Sequence, residues 1–135
     1  MKMELRVAMI GPLGVGKSSI LRRLKDPSSS FIPQYYPTKK PILCKLKFSE
    51  IQFDITEYVG LDFPEVDAYL VVTTASMMDA IQPFLDKIPP SIPYCLVINK
   101  SELAFLPNQI NCSAKKEVNL LTPLRILALK FNIHI

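Results

Sequence analysis

The chain has 135 residues, with an apolar share of 49% and a charged share of 21%. These values fit one globular domain over residues 1–135 with a sizeable core, and they exclude a disordered chain. The formal net charge of +4 comes with no Lys/Arg run longer than two residues, which argues against a nucleic-acid partner and suits a small polyanionic ligand.

Leu5–Ile10 is an apolar, β-leaning run and predicts the first strand. Gly11-Pro-Leu-Gly-Val-Gly-Lys-Ser18 follows it and has the spacing of a phosphate-binding loop. Glycines let backbone N–H groups turn inward around α- and β-phosphates. A lysine at Lys17 reaches the β/γ-phosphates, and the Ser18 hydroxyl can ligate Mg²⁺. A helix over Lys17–Leu24, with Ile20, Leu21 and Leu24 on one side, points its N-terminus at the same phosphates. Pro27 stops that helix. Ser28 to Lys40 reads as a polar, proline-punctuated loop that carries Tyr35-Tyr-Pro-Thr38.

Ile42–Phe48 and Ile51–Ile55 alternate in polarity and predict a hairpin with one buried face. Lys45, Lys47, Gln52 and Asp54 fall on its water-facing side. Ala68–Thr74 and Tyr94–Ile98 are continuous apolar runs, expected as central strands buried on both faces. Met77–Ile88 has helical spacing, with Pro83 expected to bend or split it. Gln109–Cys112 is a short strand, and Val118–Phe131 is the last helix with Pro123 in its first turn. Alternating strands and helices imply an α/β fold with a mostly parallel sheet flanked by helices, and a ligand site at the carboxyl ends of the strands.

No apolar run approaches the ~18 residues of a membrane span. No signal-peptide core precedes the glycine-rich loop, and no C-a-a-X cysteine ends the sequence, so no intrinsic membrane anchor is expected. Cys44, Cys95 and Cys112 lie far apart and read as reduced thiols of an intracellular, cytoplasmic protein. A single histidine, His134, cannot build a metal site alone.

Two later stretches choose the base. Asn99-Lys100-Ser101-Glu102 follows a strand and resembles the N-K-x-D motif of Ras/Rab-type small GTPases; Cys112-Ser-Ala-Lys115 follows the next strand and resembles their S-A-K loop. With the phosphate loop, these motifs make essentially the whole chain similar to that family. The resemblance implies a three-layer P-loop NTPase fold and a guanine nucleotide, GTP or GDP, bound with Mg²⁺. Gly11, Leu13, Gly14, Val15, Gly16, Lys17, Ser18 and Ser19 would wrap the phosphates. Tyr36-Pro37-Thr38 resembles the first switch, where Thr38 would ligate Mg²⁺ and meet the γ-phosphate. Asn99, Lys100, Glu102, Ser113, Ala114 and Lys115 would surround the base, with an acid accepting from guanine N1–H and its amine and the Ala114 N–H meeting O6. Here that acid is Glu102, one methylene longer than Asp, or about 1.5 Å.

The D-x-x-G motif of the family is altered. Asp54-Ile-Thr-Glu57 keeps the acid without the glycine, and Glu57-Tyr-Val-Gly60 keeps the glycine with Glu for Asp. The second alignment is preferred, because Ile51, Phe53 and Ile55 then alternate inward up to the acid. Glu57 joins Ser18 and Thr38 as the expected Mg²⁺ residues, and the Gly60 N–H meets the γ-phosphate. In either alignment the place of the family's water-orienting Gln is taken by Leu61 or Tyr58, which cannot orient water. Leu13 is bulky where many family members are small. GTP binding with slow hydrolysis is therefore expected. The alternative is a pseudo-GTPase scaffold in a protein complex. A small nucleoside kinase is the weakest reading, since no Arg-rich lid segment is present.

Only seven residues separate Gly60 from Ala68 and six separate Glu102 from Gln109, so two helices of the family are expected to be missing or reduced. The sheet face they would cover is expected to be open, and a protein effector, a complex partner or a second copy of the chain is expected there or on the switch loops.

Overall fold

In the computed structural model, residues 3–25, 42–48, 50–100, 106, 109–116 and 119–135 are described. The expectations for Thr38, Glu102 and the interval after Glu102 fall on or mostly on residues outside these ranges.

The chain forms a six-stranded sheet that is parallel except at one edge, flanked by helices on both faces. β1 (Met3–Ile10) lies in its interior. α1 (Lys17–Lys25) follows the glycine-rich loop. β2 (Ile42–Lys47) and β3 (Ile51–Glu57) form an antiparallel hairpin, and β3 then runs parallel to β1 with Leu5 opposite Phe53 and Met9 opposite Glu57. β4 (Ala68–Thr74) pairs with the other side of β1, β5 (Tyr94–Asn99) pairs with β4, and β6 (Ile110–Asn111) closes the edge. The order is β2-β3-β1-β4-β5-β6. Every residue of β4 is buried, as a parallel strand covered on both faces requires.

α1 and α3 (Thr122–Leu129) cover one face. Ile20, Leu21, Leu24, Leu124 and Leu127 pack there on Val7, Met9, Phe53, Ile55, Val72 and Val97. The other face carries a 3-10 segment, Ala75–Ala80, and α2 (Gln82–Asp86). The stretch Met77–Ile88 is thus broken, but at Ile81; Pro83 stands in the first turn of α2, where its missing N–H costs nothing. Pro123 has the same place in α3. α3 begins at Thr122, later than the Val118 expected from spacing.

Residues 61–66 form no helix, as the spacing predicts. The sheet face behind them is nevertheless covered, contrary to the expected open face. Phe63 and Val66 pack with Phe84, Ile88 and Tyr58 against the buried side chains of Ala8, Ile10, Tyr69 and Val71. Tyr69 OH donates to the Pro64 carbonyl at 3.0 Å, and its ring meets Phe63 edge-on at 5.7 Å. Asp67 accepts from the Arg6 backbone N–H at 2.8 Å and from its guanidinium at 3.4 Å. A few large side chains in an extended segment bury what a helix would have buried. Gln52 also departs from expectation: β3 is an interior strand with neighbours on both sides, so Gln52 is buried and donates to Asp54 at 2.8 Å.

Among the described residues no helix is long and apolar enough to cross a membrane.

Candidate phosphate and base site

The carboxyl ends of the parallel strands lie along one edge of the sheet. Connections from β1 and β4 leave that edge toward opposite faces, the arrangement that opens a crevice for ligands. The loop 11–16 crosses it. Gly11 has φ 147°, and a Cβ there would run into the Val72 carbonyl of β4. Gly16 has φ 93°, and a Cβ there would run into the Asn99 side-chain amide. Both positions need glycine for close approach as well as for backbone angle.

Lys17, almost wholly buried, folds back over the loop and donates to the Gly11 carbonyl at 2.8 Å and the Pro12 carbonyl at 2.9 Å. Burial holds its ammonium below the ordinary lysine pKa, partly offset by the negative charge of Glu57. Ser18 Oγ lies 2.9 and 2.8 Å from the two carboxylate oxygens of Glu57 and donates to them. Glu57 ends β3 and is buried. Of the two acids compatible with the altered motif, Glu57 is the one brought to the loop; Asp54 faces the opposite side of β3 and pairs with Gln52. Gly60 stands three residues beyond Glu57 in a turn, with φ 72°. Leu13 is 56% exposed at the loop tip, Val15 is fully buried, and Ser19 is half-buried in the first turn of α1.

Mg²⁺ prefers hard oxygen ligands at 2.0–2.1 Å in an octahedron, whose neighbouring ligands are about 2.9 Å apart. Ser18 Oγ and the Glu57 carboxylate are oxygen donors of the kind the ion takes, and the hydrogen bond between them keeps the two together at the loop.

The stretches around Asn99 and Ala114 are fastened to the glycine-rich loop. Asn99 is buried at the end of β5; its Nδ2 donates to the Val15 carbonyl at 2.9 Å, and its Oδ1 accepts the Ala114 N–H at 3.2 Å. Cys112 Sγ donates to the same Oδ1 at 3.6 Å. Lys100, in the left-handed region at φ 57°, donates from Nζ to the Gly14 carbonyl at 2.7 Å. Ser113 is buried, and its Oγ accepts the Lys116 N–H at 3.0 Å; Ala114 is buried and Lys115 exposed. Gly11–Ser19, Glu57, Asn99, Lys100 and Ser113–Lys115 are thereby gathered at one edge. Thr38 and Glu102 lie outside the described residues.

Sequence reasoning missed two contributors. Arg23 donates from Nε to the Ala114 carbonyl at 3.0 Å and from Nη2 to the Lys115 carbonyl at 3.3 Å. The only sequence signal was its place off the apolar stripe of α1. Asn111 is buried, accepts the Leu106 N–H at 3.0 Å and donates to the Leu106 carbonyl at 2.7 Å. A buried amide at a strand end is a signal that composition hides.

The edge therefore combines two lysine ammonium groups, a helix N-terminus and a hydroxyl–carboxylate pair, a set suited to a polyphosphate with a divalent ion. No protein-family model matches the chain, and a search of curated proteins finds no match.

Proposed function

We propose that the chain is a Ras-like guanine-nucleotide-binding protein of the three-layer P-loop NTPase class, holding GTP or GDP with Mg²⁺ in an intracellular, cytoplasmic setting and hydrolysing GTP slowly. One observation carries the reading. Asn99 and Lys100, the residues of the base motif, grip Val15 and Gly14 of the phosphate loop directly. Two stretches singled out in the sequence are thus joined by direct hydrogen bonds, which supports a shared site. Cys44, Cys95 and Cys112 are buried thiols, which agrees with a reducing compartment.

Lys17 would leave its two carbonyls for the β/γ-phosphates, the N–H groups of the loop and of the first turn of α1 would take the remaining charge, and Lys100 would flank the base. Ser18 and Glu57 would hold Mg²⁺, which supplies charge neutralisation between the phosphates. The Ala114 N–H would leave Asn99 Oδ1 to meet a purine 6-oxo group. Leu13 and Leu61 offer no group to orient an attacking water, which supports slow turnover.

The test is to purify the protein with Mg²⁺, denature it and identify the released nucleotide by chromatography. Near-stoichiometric GTP is the expected result. GDP would overturn slow hydrolysis, and an empty protein that takes up no added GTP would overturn the binding itself. A scaffold reading has its own support: Lys17, Ser18 and Lys100 are all hydrogen-bonded within the protein, so the loop can hold its shape without a ligand. Lys17→Ala separates the two, since a scaffold keeps its partner after that substitution and a nucleotide-dependent switch loses it.

A further inference from the structure

Arg23 belongs to the helix that carries the phosphate residues but takes no part in phosphate chemistry. Its Nε and Nη2 reach the carbonyls of two successive residues, Ala114 at 3.0 Å and Lys115 at 3.3 Å, more than ninety positions away in sequence. A guanidinium holds its N–H groups in one rigid plane. Two bonds from that plane fix the orientation of the peptides they meet as well as their distance. The Ser113–Lys116 hydrogen bond closes the turn locally, and Asn99 Oδ1 holds the Ala114 N–H by a bond at the long end of the normal range. Arg23 supplies the grip from outside the turn.

We infer that Arg23 is a positioning residue for base recognition: by holding the Ala114 and Lys115 carbonyls it fixes the turn whose Ala114 N–H, engaged by Asn99 Oδ1 in the structure, would pass to the 6-oxo group of a bound purine. The inference rests on the guanine-nucleotide reading above and deepens it. Arg23 stands six residues beyond Lys17, about 9 Å along the helix axis. One rigid helix therefore carries the phosphate residues at its first turn and the grip on the base loop farther along. Displacement at either end is felt at the other. Arg23 itself touches neither base nor phosphate in this arrangement. A strap that served packing alone would lie in the same place, so the test must read the 6-position and not affinity as such.

The experiment compares GDP, 6-thio-GDP and IDP binding to the full chain with Mg²⁺, in wild type, Arg23→Met and Arg23→Lys. Sulfur at position 6 is a weak acceptor, whereas IDP keeps the 6-oxo group and lacks the 2-amine. Wild type is expected to prefer GDP to 6-thio-GDP by about tenfold, the value of one hydrogen bond. Arg23→Met is expected to bring that ratio to about one while the GDP/IDP ratio stays within about twofold of wild type. Arg23→Lys, which can serve one carbonyl at a time, is expected between them, and it carries the test alone if Arg23→Met does not fold. An equal loss for all three nucleotides, or no change, overturns the inference and leaves nucleotide binding standing. Equal wild-type binding of GDP and 6-thio-GDP also overturns it. Failure of wild type to bind any of the three overturns the guanine-nucleotide reading, and this inference with it.

Discussion

Gly16 meets two demands at once: φ of 93°, and a Cβ position occupied by the Asn99 amide. Gly14, at φ 79°, has open space where its Cβ would be. Gly14→Ala therefore adds backbone strain alone, while Gly16→Ala adds strain and pushes Asn99 off the Val15 carbonyl. Both are expected to lose about 1–3 kcal/mol in urea unfolding, and only Gly16→Ala is expected to abolish nucleotide retention on purification. Cys95 gives a pH-dependent prediction. Burial pushes its thiol from 9.0 up to about 11, with Lys130 acting weakly in the other direction. Between pH 9 and 11 the unfolded chain has released a proton that the folded chain keeps, so stability falls as pH rises through that window and is unaffected below it. Wild type is expected to lose up to about 2 kcal/mol relative to Cys95→Ala on going from about pH 8.5 to about 11, measured as the difference in urea unfolding free energies. Cys44 and Tyr69, also raised by burial, are present in both proteins and cancel. At this scale the sequence exposes residues whose partners are local. The glycine-rich loop and its buried lysine are legible because the pattern lies within eight consecutive positions. Arg23 is not, because its partners are backbone carbonyls on a distant loop and leave no mark on residue identity.

The elements were largely legible. β4 has the expected bounds, and β1, β3 and β5 lie within a few residues of theirs, because their apolar periodicity is set by the sheet itself. Less legible was the cover on the second face. Counting helices predicts an open sheet; counting large apolar side chains in 58–67 would have predicted a covered one. The interval 77–88 is split as expected, two residues before Pro83: a ring that breaks a helix from inside is neutral at its start, and α2 starts at Gln82. If the 58–67 segment is the cover, Phe63 is its main support through the ring of Tyr69. Phe63→Ala is expected to cost about 2 kcal/mol by urea unfolding and to increase binding of a hydrophobic dye, as Tyr69 and Val71 gain access to water. An unchanged stability would mean that Val66, Phe84 and the Arg6–Asp67 pair hold the face without it.

At the scale of the whole molecule, the property that matters under the proposed function is the nucleotide state in which it would rest. The +4 charge favours either nucleotide, so under that reading the resting state would depend on turnover. Phosphoryl transfer by GTPases requires placement of a water more than covalent help from the protein. After Glu57 the chain provides Tyr58, Val59, Gly60 and Leu61; Leu61 is 38% exposed, and its carbonyl is taken by Lys87 Nζ at 3.0 Å. That hydrogen bond fixes the backbone of the turn and leaves the Leu61 side chain outward, where a longer polar side chain could act. Loading with GTP and following single turnover is expected to give a rate below about 10⁻⁴ s⁻¹, under the intrinsic rate of a Gln-containing member of the class. Leu61→Gln is expected to raise it at least about tenfold, because it supplies the missing amide without disturbing the backbone bond to Lys87. Leu13→Gly should add to that gain by clearing the loop tip, and its effect should be small on its own. A fast wild-type rate would mean that another group orients the water. An unchanged Leu61→Gln rate with GTP firmly bound would mean that the turn does not reach the γ-phosphate, and that the molecule rests with GTP for a reason of geometry and not of residue type.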